Sequence, residues 1–405
     1  MKAVHLFAVV VSLPNGSGFY AAPSLGPSKA SVSNVSSTTA PLANSSIDTS
    51  TKFWKWRGHD IFTEVRRRSP SKDDDTKKPA VILLHGFGAS TVYWRETMSV
   101  LQSEGHDVHA LDLLGQGRSS KPFPIEEGAS ENGDSDEVDA AFEIGKNTGT
   151  KVEYSINLWA SLLDDYARHH QLDEVVLMGN SLGSLVALSA ATGDFMDSET
   201  KGYLPGNRVK GLCLFNCAVG LNSQNVIKNP DFNPVQRAAI KSLFGILNTL
   251  IFDNQLLLRY ALNNIVTQEL LEDALKSLYI SCPERVDKEL VDSFYYPAKL
   301  GGEGAVEAIR QIYTNDAGLT PMEYHEKYPE ILDAIPLHLV WGLEDVVTPI
   351  NGDVGMFYCD RVANNRSGRG TTTIDCVKGG HILFDDNPED SHASMMRWLE
   401  RKVIK

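Results

Sequence analysis

Short apolar runs alternate with helical stretches along most of the chain. Continuous apolar runs of this length are typical of strands buried on both faces of a parallel sheet. There are six: Ala80–Leu84, His106–Leu111, Glu174–Met178, Lys210–Phe215, Pro336–Trp341 and Thr372–Val377. Helical patterns cover Tyr154–His170, Ser184–Thr192 and Ser391–Arg401, and Phe53–Val65 predicts an opening strand or hairpin. This alternation predicts an α/β fold with a mostly parallel, doubly wound sheet.

Two segments interrupt the alternation. Residues 123–150 carry many acids and no base before Lys146, which predicts a solvated acidic surface loop. Residues 222–335 place apolar side chains such as Leu243 and Leu247 at helical spacing and show no strand-like alternation, so we expect a helical cap over one end of the sheet. The predicted core is therefore split into residues 53–221 and 336–405.

Composition narrows the classes of function. With 405 residues, 42% hydrophobic and 22% charged, the chain is long and apolar enough to bury a large core. A net charge of −14 argues against a nucleic-acid partner. The five cysteines are scattered and form no CxxC pair, so we expect free thiols in a reducing compartment, and no disulfide framework or zinc site.

The first 52 residues differ from the rest of the chain. An apolar run over residues 3–13 follows Lys2 and is too short to span a bilayer, which predicts a signal peptide over residues 1–18. Residues 19–52 begin with Phe19, are rich in Ser and Thr and contain a single acid and few bases, as in a transit peptide. This order resembles the bipartite presequences of algae with secondary plastids, such as diatoms, and predicts a complex plastid. Secretion, or residence in the endoplasmic reticulum, is the alternative.

The sequence Gly179-Asn180-Ser181-Leu182-Gly183 carries the first chemical signal. It follows a predicted strand directly and precedes a predicted helix. A sharp strand-to-helix turn exposes the central serine above the sheet, and its hydroxyl then lies at a helix N-terminus, which favours negative charge. We therefore interpret Ser181 as a nucleophile.

A second glycine-containing turn, His85-Gly86-Phe87-Gly88, follows the first of the six strands. We expect the backbone N–H groups of Phe87 and Leu182 to form an oxyanion hole. The turn lacks the Gly-Lys-Ser/Thr of a P-loop, so a phosphate site is not predicted. His85 is interpreted as a structural histidine that bonds nearby backbone, with a role as the base as the alternative.

The remaining candidates follow the last two strands. Asp345, with Glu344 as its rival, comes after Pro336–Trp341, and His381 comes after Thr372–Val377. Side chains at the carboxyl ends of strands face the crevice where such sheets bind ligands. The other histidines in helical or cap contexts are expected at the surface: His169, His170, His325 and His392.

The order Ser181, Asp345, His381 and the motifs around it resemble the α/β-hydrolase superfamily over nearly all of residues 53–405. The matching stretches are LLHGFGAS at 83–90, LDLLGQGRSSKP at 111–122, VVLMGNSLGS at 175–184, LVWGLEDVVTP at 339–349 and GGHILFDDNPE at 379–389. Within the superfamily, the set looks most like the plastid branch of plants and algae that includes pheophytinase and chlorophyll dephytylase. The chain departs from that branch at Ser184, where a glycine is usual, and at Ile382-Leu383, where Cys-Pro is usual. The leucine after the nucleophile argues against the chlorophyllases proper.

The resemblance implies a serine esterase that forms an acyl-enzyme on a large apolar ester, with the phytyl ester of chlorophyll-type pigments as the candidate. Two alternatives are a C–C bond hydrolase of the meta-cleavage type, which would need an arginine such as Arg95 or Arg118 near the site, and a non-catalytic ligand receptor on the same fold. No cofactor or metal is expected. The predicted mature chain has no apolar run long enough to span a bilayer, and peripheral association with thylakoids through the cap is compatible with it.

Overall fold

The computed structural model describes residues 49–68, 78–124, 142–196, 201–222, 224–225, 237–238, 241–242, 252–364 and 371–404. The predicted signal peptide, the transit-like segment up to residue 48 and most of the acidic run, residues 125–141, lie outside this part of the chain. Part of the predicted cap, chiefly residues 226–236 and 243–251, also lies outside it.

The strands form one sheet in the order β1-β2-β4-β3-β5-β6-β7-β8. The pairs β1–β2 and β2–β4 are antiparallel, and all other neighbours are parallel. The eight strands are β1 (Thr49–Trp56), β2 (His59–Arg66), β3 (Ala80–Leu84), β4 (Val108–Leu111), β5 (Val175–Asn180), β6 (Val209–Phe215), β7 (Leu337–Gly342) and β8 (Thr372–Val377). The predicted mostly parallel α/β sheet is confirmed, and each of the six apolar runs contains a strand.

The opening hairpin begins earlier than predicted. Strand β1 starts at Thr49, which pairs with Arg66, whereas the sequence places the start of the core at residue 53. Residues 49–52 lie opposite residues 63–66 in an antiparallel ladder, so they belong to the sheet and not to the preceding segment. Any processing that leaves the hairpin intact must therefore fall before residue 49.

The α-helices whose bounds lie within the described residues surround or extend this sheet. They are α1 (Arg95–Ser103), α2 (Ile156–His169), α3 (Leu182–Thr192), α4 (Gln255–Tyr260), α5 (Gln268–Lys276), α6 (Lys288–Leu300), α7 (Gly302–Thr314), α8 (Pro321–Lys327), α9 (Pro329–Ala334), α10 (Asp353–Asn364), α11 (Leu383–Asp386) and α12 (Pro388–Trp398). Helices α2, α3 and α12 correspond to the three predicted ones. The sequence patterns did not indicate α1 or α10.

Alternate side chains of the strands pack on opposite faces of the sheet. In β3, Ile82 and Leu84 join one buried cluster with helices α2 and α3, while Val81 and Leu83 join another with α1 and cap residues. All four of these side chains are fully buried. Burial on both faces explains why the strands are continuous apolar runs without alternation.

The described residues between β6 and β7 contain helices, turns and loops but no strand. Helices α4 to α7 lie in the segment predicted as a cap, but α8 and α9 pack on the core. Lys327 of α8 bonds Asp194 beyond α3 at 2.6 Å, and Leu332 of α9 shares a buried cluster with Leu188 of α3. The segment predicted as the cap, residues 222–335, therefore includes two helices that pack against the core. Within the described residues, no helix is long and apolar enough to cross a membrane.

Candidate active site

Ser181 occupies a strained turn between β5 and α3. Its φ of 53° and ψ of −119° lie in a region that L-residues rarely adopt. Glycines on either side make the turn possible, because a Cβ on Gly179 would lie 2.4 Å from the Gly183 backbone and one on Gly183 would lie 2.2 Å from the Leu84 carbonyl oxygen. The turn thus places the serine between strand and helix, as the sequence pattern predicts.

Ser184 stands where the resembling branch usually has glycine. Its hydroxyl is buried and donates to the carbonyl oxygen of Gly179 at 2.9 Å. This hydrogen bond links the first turn of α3 to the end of β5 across the turn that carries Ser181. Ile382 and Leu383, which replace Cys-Pro after the histidine, are buried in the core.

Asp345 and His381 form a buried pair. The His381 Nδ1–H group donates to Asp345 Oδ2 at 2.8 Å, and the two residues are 8% and 4% exposed. Asp345 also accepts bonds from the Val347 and Thr348 N–H groups and from the Thr348 hydroxyl. Burial alone would raise the pKa of the Asp345 carboxyl, but the His381 ring and the Thr348 bonds bring that pKa below its ordinary value. Asp345 is therefore held as a carboxylate against the ring.

Glu344 has a different role. Its side chain is exposed, and its Oε2 atom accepts the Gly379 N–H at 2.6 Å. The two adjacent acids thus bond to neighbouring parts of the same loop, and only Asp345 contacts the ring of His381.

Two buried asparagines connect the strand ends that carry the three candidates, a role that the sequence patterns do not indicate. Asn180 precedes Ser181 and donates from Nδ2 to the His381 carbonyl oxygen at 3.1 Å. Asn216, at the end of β6, donates to the same oxygen at 2.9 Å and accepts the Gly342 N–H at 2.7 Å. Through these bonds the elbow, the histidine loop and the end of β7 are held together. A polar residue directly after a buried strand is the signal that indicates Asn216.

The turn predicted to hold the oxyanion lies against the elbow. A Cβ on Gly86 would come within 3.2 Å of Ser181 Cβ. The Gly86 N–H donates to the Tyr93 hydroxyl at 2.5 Å, and the Gly88 N–H donates to Gln116 at 2.7 Å, so Phe87 is anchored on both sides.

Leu182, the second residue of the predicted oxyanion hole, is the first residue of α3. N–H groups in the first turn of a helix have no partner within that helix. The turn after β3 and the start of α3 lie against each other, since a Cβ on Gly86 would come within 3.2 Å of Ser181 Cβ and one on Gly183 within 2.2 Å of the Leu84 carbonyl oxygen.

His85 is a structural residue. Its Nδ1–H donates to the Gly86 carbonyl at 2.7 Å, and its Nε2 accepts the Leu113 N–H at 2.9 Å. Burial lowers its pKa to about 4, so the ring is neutral at neutral pH. Both nitrogens are occupied by backbone, which confirms the structural interpretation over a role as the base.

Two of the histidines expected at the surface are buried. His325 packs against Phe357 and Tyr358, and His392 bonds Thr97 at 2.9 Å. Helices α8 and α12 carry them on faces that pack on other helices, which the local pattern did not reveal. These contacts of His325 and His392 are with residues other than Asp345 and His381.

Aromatic side chains of the cap lie beside the oxyanion turn. The Phe87 ring meets Tyr313 edge to face, with centroids 5.4 Å apart, and Tyr313 stacks on Phe252 at 4.2 Å. Phe294 approaches within 4.0 Å of where a Cβ on Gly88 would be. The rings of Phe252, Phe294 and Tyr313, here called the aromatic wall of the cap, therefore lie next to this turn.

Among the described residues, no cluster of three or more histidine, cysteine, aspartate or glutamate side chains could hold a metal ion. The five cysteines are unpaired, and Cys213 and Cys217 are buried in the core.

Comparison with known proteins identifies the family. The model of the alpha/beta hydrolase fold family matches residues 79–388, which is most of the chain. The protein therefore belongs to the α/β-hydrolase fold family.

Individual relatives match only segments. The chain is 29% identical over 121 residues to the chloroplastic pheophytinase of Arabidopsis thaliana, covering 28% of this chain and 24% of the relative. It is 27% identical over 145 residues to the probable lysophospholipase BODYGUARD 4 of the same plant, covering 35% and 28%. The match thus spans about a quarter of the length of these curated relatives.

Solved structures share the fold at low identity. The epoxide hydrolase VrEH1 from Vigna radiata superimposes with a TM-score of 0.57 and 16% identity, covering 88% of this chain and 100% of the other. At this identity the likeness shows the fold alone.

Proposed function

We propose that the protein is a serine hydrolase that cleaves a large apolar carboxylic ester through an acyl-enzyme, with the phytyl ester of chlorophyll-type pigments as the candidate substrate. One observation carries the proposal: a serine in a strained elbow lies beside an oxyanion-type turn, and the buried Asp345–His381 pair is bonded to that elbow through Asn180.

In the proposed mechanism, Ser181 Oγ attacks the ester carbonyl while His381 Nε2 takes its proton. Since Asp345 binds Nδ1–H, the free electron pair of the ring is on Nε2, which is the nitrogen required of the base. The Phe87 and Leu182 N–H groups stabilise the oxyanion. The imidazolium then protonates the leaving alcohol, and water, deprotonated by His381, releases the acid from Ser181.

The aromatic wall of the cap supports an apolar substrate. The Phe87 ring of the predicted oxyanion turn contacts Tyr313, which stacks on Phe252, so the cap residues beside this turn are aromatic. Each buried methylene contributes about 0.8 kcal/mol, so a C20 chain gains several kcal/mol even when partly buried. The segmental similarity to a chloroplastic pheophytinase supports the pigment ester as the candidate.

The arrangement of the two arginines gives no support to a C–C bond hydrolase. Arg95 bonds Asp287 at 2.5 Å and also contacts Asp385. Arg118 donates to the Glu143 carbonyl and lies over the Phe62 ring. Both guanidinium groups therefore have partners within the fold.

We propose further that residues preceding β1 direct the protein to a complex plastid. The support is the order of the sequence features: an apolar run, Phe19 and an acid-poor segment rich in Ser and Thr. Peripheral contact with thylakoids through the cap is part of the same proposal, since the proposed substrate is membrane-bound.

A panel of esters tests the substrate class. We expect kcat/KM to rise from acetate to C16–C20 and phytyl esters when all are measured in one detergent, with Ser181→Ala as the control for enzyme-independent hydrolysis. Equal kcat/KM for acetate and C16–C20 esters would contradict recognition of a long chain. Labelling by a fluorophosphonate without turnover of any ester would instead favour a receptor that retains a reactive serine.

A further inference from the structure

Two consecutive acids follow the candidate base, and both are almost fully buried. Asp385 and Asp386 end α11 and are 0% and 1% exposed. The proposed mechanism uses neither. Buried carboxylates without partners are costly, so their partners indicate what the fold uses them for.

Asp386 accepts hydrogen bonds from four backbone N–H groups. One is that of Gly380, the residue before His381, at 2.7 Å. The other three belong to Ile280, Ser281 and Cys282, at 3.1, 2.8 and 2.8 Å. These three residues lie in the stretch 278–282, here called the cap strip, which is about 100 residues away in the chain.

The cap strip also touches the histidine loop directly. The His381 N–H donates to the Leu278 carbonyl oxygen at 3.1 Å. A Cβ on Gly380 would lie 2.1 Å from that same oxygen, so the close approach requires glycine at position 380. Asn180 and Asn216 hold the His381 carbonyl on the side of the sheet, while the cap strip holds its N–H.

We propose that Asp386 is a positioning residue that fixes His381 by joining its loop to the cap strip. This inference rests on the proposed function, in which His381 is the base. An ionised carboxylate only accepts hydrogen bonds, and here each oxygen receives two donors: Oδ1 those of Ser281 and Cys282, Oδ2 those of Gly380 and Ile280. The cap therefore contributes to the placement of the base as well as to binding the substrate.

An asparagine at position 386 tests this, because either orientation of its amide places an NH₂ group against two N–H donors. The loop must then shift. A displacement of about 1 Å at a catalytic group can cost about 100-fold in rate. We expect Asp386→Asn to lower kcat by roughly 10- to 100-fold on an activated ester, with KM changed by less than about threefold.

Asp385→Asn is the matched control. Asp385 is adjacent and equally buried, but its partners are side chains, those of Tyr279 in the cap strip and of Arg285 and Arg95, and not the backbone of the histidine loop or of the strip. We expect this variant to melt at a lower temperature and to keep kcat within about threefold of the wild type. If Asp386→Asn does not fold, Gly380→Ala disturbs the same contact from the other side and is expected to give the same loss of kcat.

Asp386→Asn and Asp385→Asn are then each combined with His381→Ala. If Asp386 acts through His381, Asp386→Asn causes no further loss there, whereas a merely structural role lowers the residual rate by the same factor as in the wild type. The inference is overturned by equal loss in both backgrounds, or by equal kcat for the 385 and 386 variants. Wild-type activity of His381→Ala would refute the proposed function itself, so the two failures are distinguishable.

Discussion

Replacing Asp345 by asparagine isolates the electrostatic part of the proposed mechanism. The carboxylate receives the Val347 and Thr348 N–H groups on Oδ1 and the His381 Nδ1–H and Thr348 hydroxyl on Oδ2. In the variant, the amide oxygen keeps the Val347 and Thr348 N–H donors. In the opposite orientation, these two N–H groups and the NH₂ group of the asparagine would all lack an acceptor. The NH₂ group then faces His381.

That arrangement changes the tautomer of the imidazole. Nδ1 must accept from the amide, so the ring proton moves to Nε2, and Nε2 can no longer take a proton from Ser181. The charge that stabilises the imidazolium is lost as well. A rate loss of about 10³- to 10⁴-fold is expected, which corresponds to about 4 to 5.5 kcal/mol at 1.36 kcal/mol per tenfold change.

The assay is kcat/KM on an activated ester, with thermal unfolding to show that the variant is folded. Glu344→Gln is the matched control: glutamine keeps an oxygen for the Gly379 N–H, and the side chain is exposed, so we expect a change of less than about threefold. A larger loss for Glu344→Gln than for Asp345→Asn would move the acid to Glu344. A loss of less than tenfold for Asp345→Asn would refute the tautomer argument.

Three further predictions concern stability and targeting. Gly183→Ala should lower the free energy of unfolding by about 2 kcal/mol or more in urea titrations, since its Cβ would lie 2.2 Å from the Leu84 oxygen; wild-type stability would contradict the close packing of α3 on β3. Because folding lowers the pKa of Asp345, its contribution to stability is full above about pH 4, the unfolded value, and is lost as the pH falls through the folded value. The difference in unfolding free energy between the wild type and Asp345→Asn should therefore shrink below about pH 4, and a constant difference would argue against the shift. Residues 1–52 fused to a fluorescent protein should reach the plastid, whereas Phe19→Ala should retain the fusion in the endoplasmic reticulum; secretion of the unaltered fusion would exclude plastid targeting.

The sheet could be predicted from sequence because burial on both faces leaves an unmistakable apolar run. Helix α10 carries no such signal: its sequence includes Gly355, a poor helix former, and a Cβ there would lie 2.1 Å from the Ile350 carbonyl oxygen. That glycine is set by tertiary packing, which periodicity does not show. Strand β1 was placed too late because residues 49–52 are polar and gain their order from the β2 ladder.

The candidate site also contains residues that could be predicted from the sequence and residues that could not. Ser181, Asp345 and His381 each directly follow a strand or lie in the loop after it, so local patterns and chain order place them at one edge of the sheet. The roles of Asn216 and Asp386 depend on contacts with residues about 100 or more positions away, such as Gly342 and Ser281. Nothing in the nearby sequence encodes those partners, and only the folded chain brings them together.

Labelling with a fluorophosphonate tests the central claim most directly. The probe reacts preferentially with a serine activated by a base, and mass spectrometry of the digested protein identifies the residue that carries it. We expect a single label on Ser181 in the wild type, with none in Ser181→Ala and strongly slowed labelling in His381→Ala. Labelling at another residue, or unchanged labelling of the Ser181→Ala protein, would contradict the assignment of Ser181 as the nucleophile.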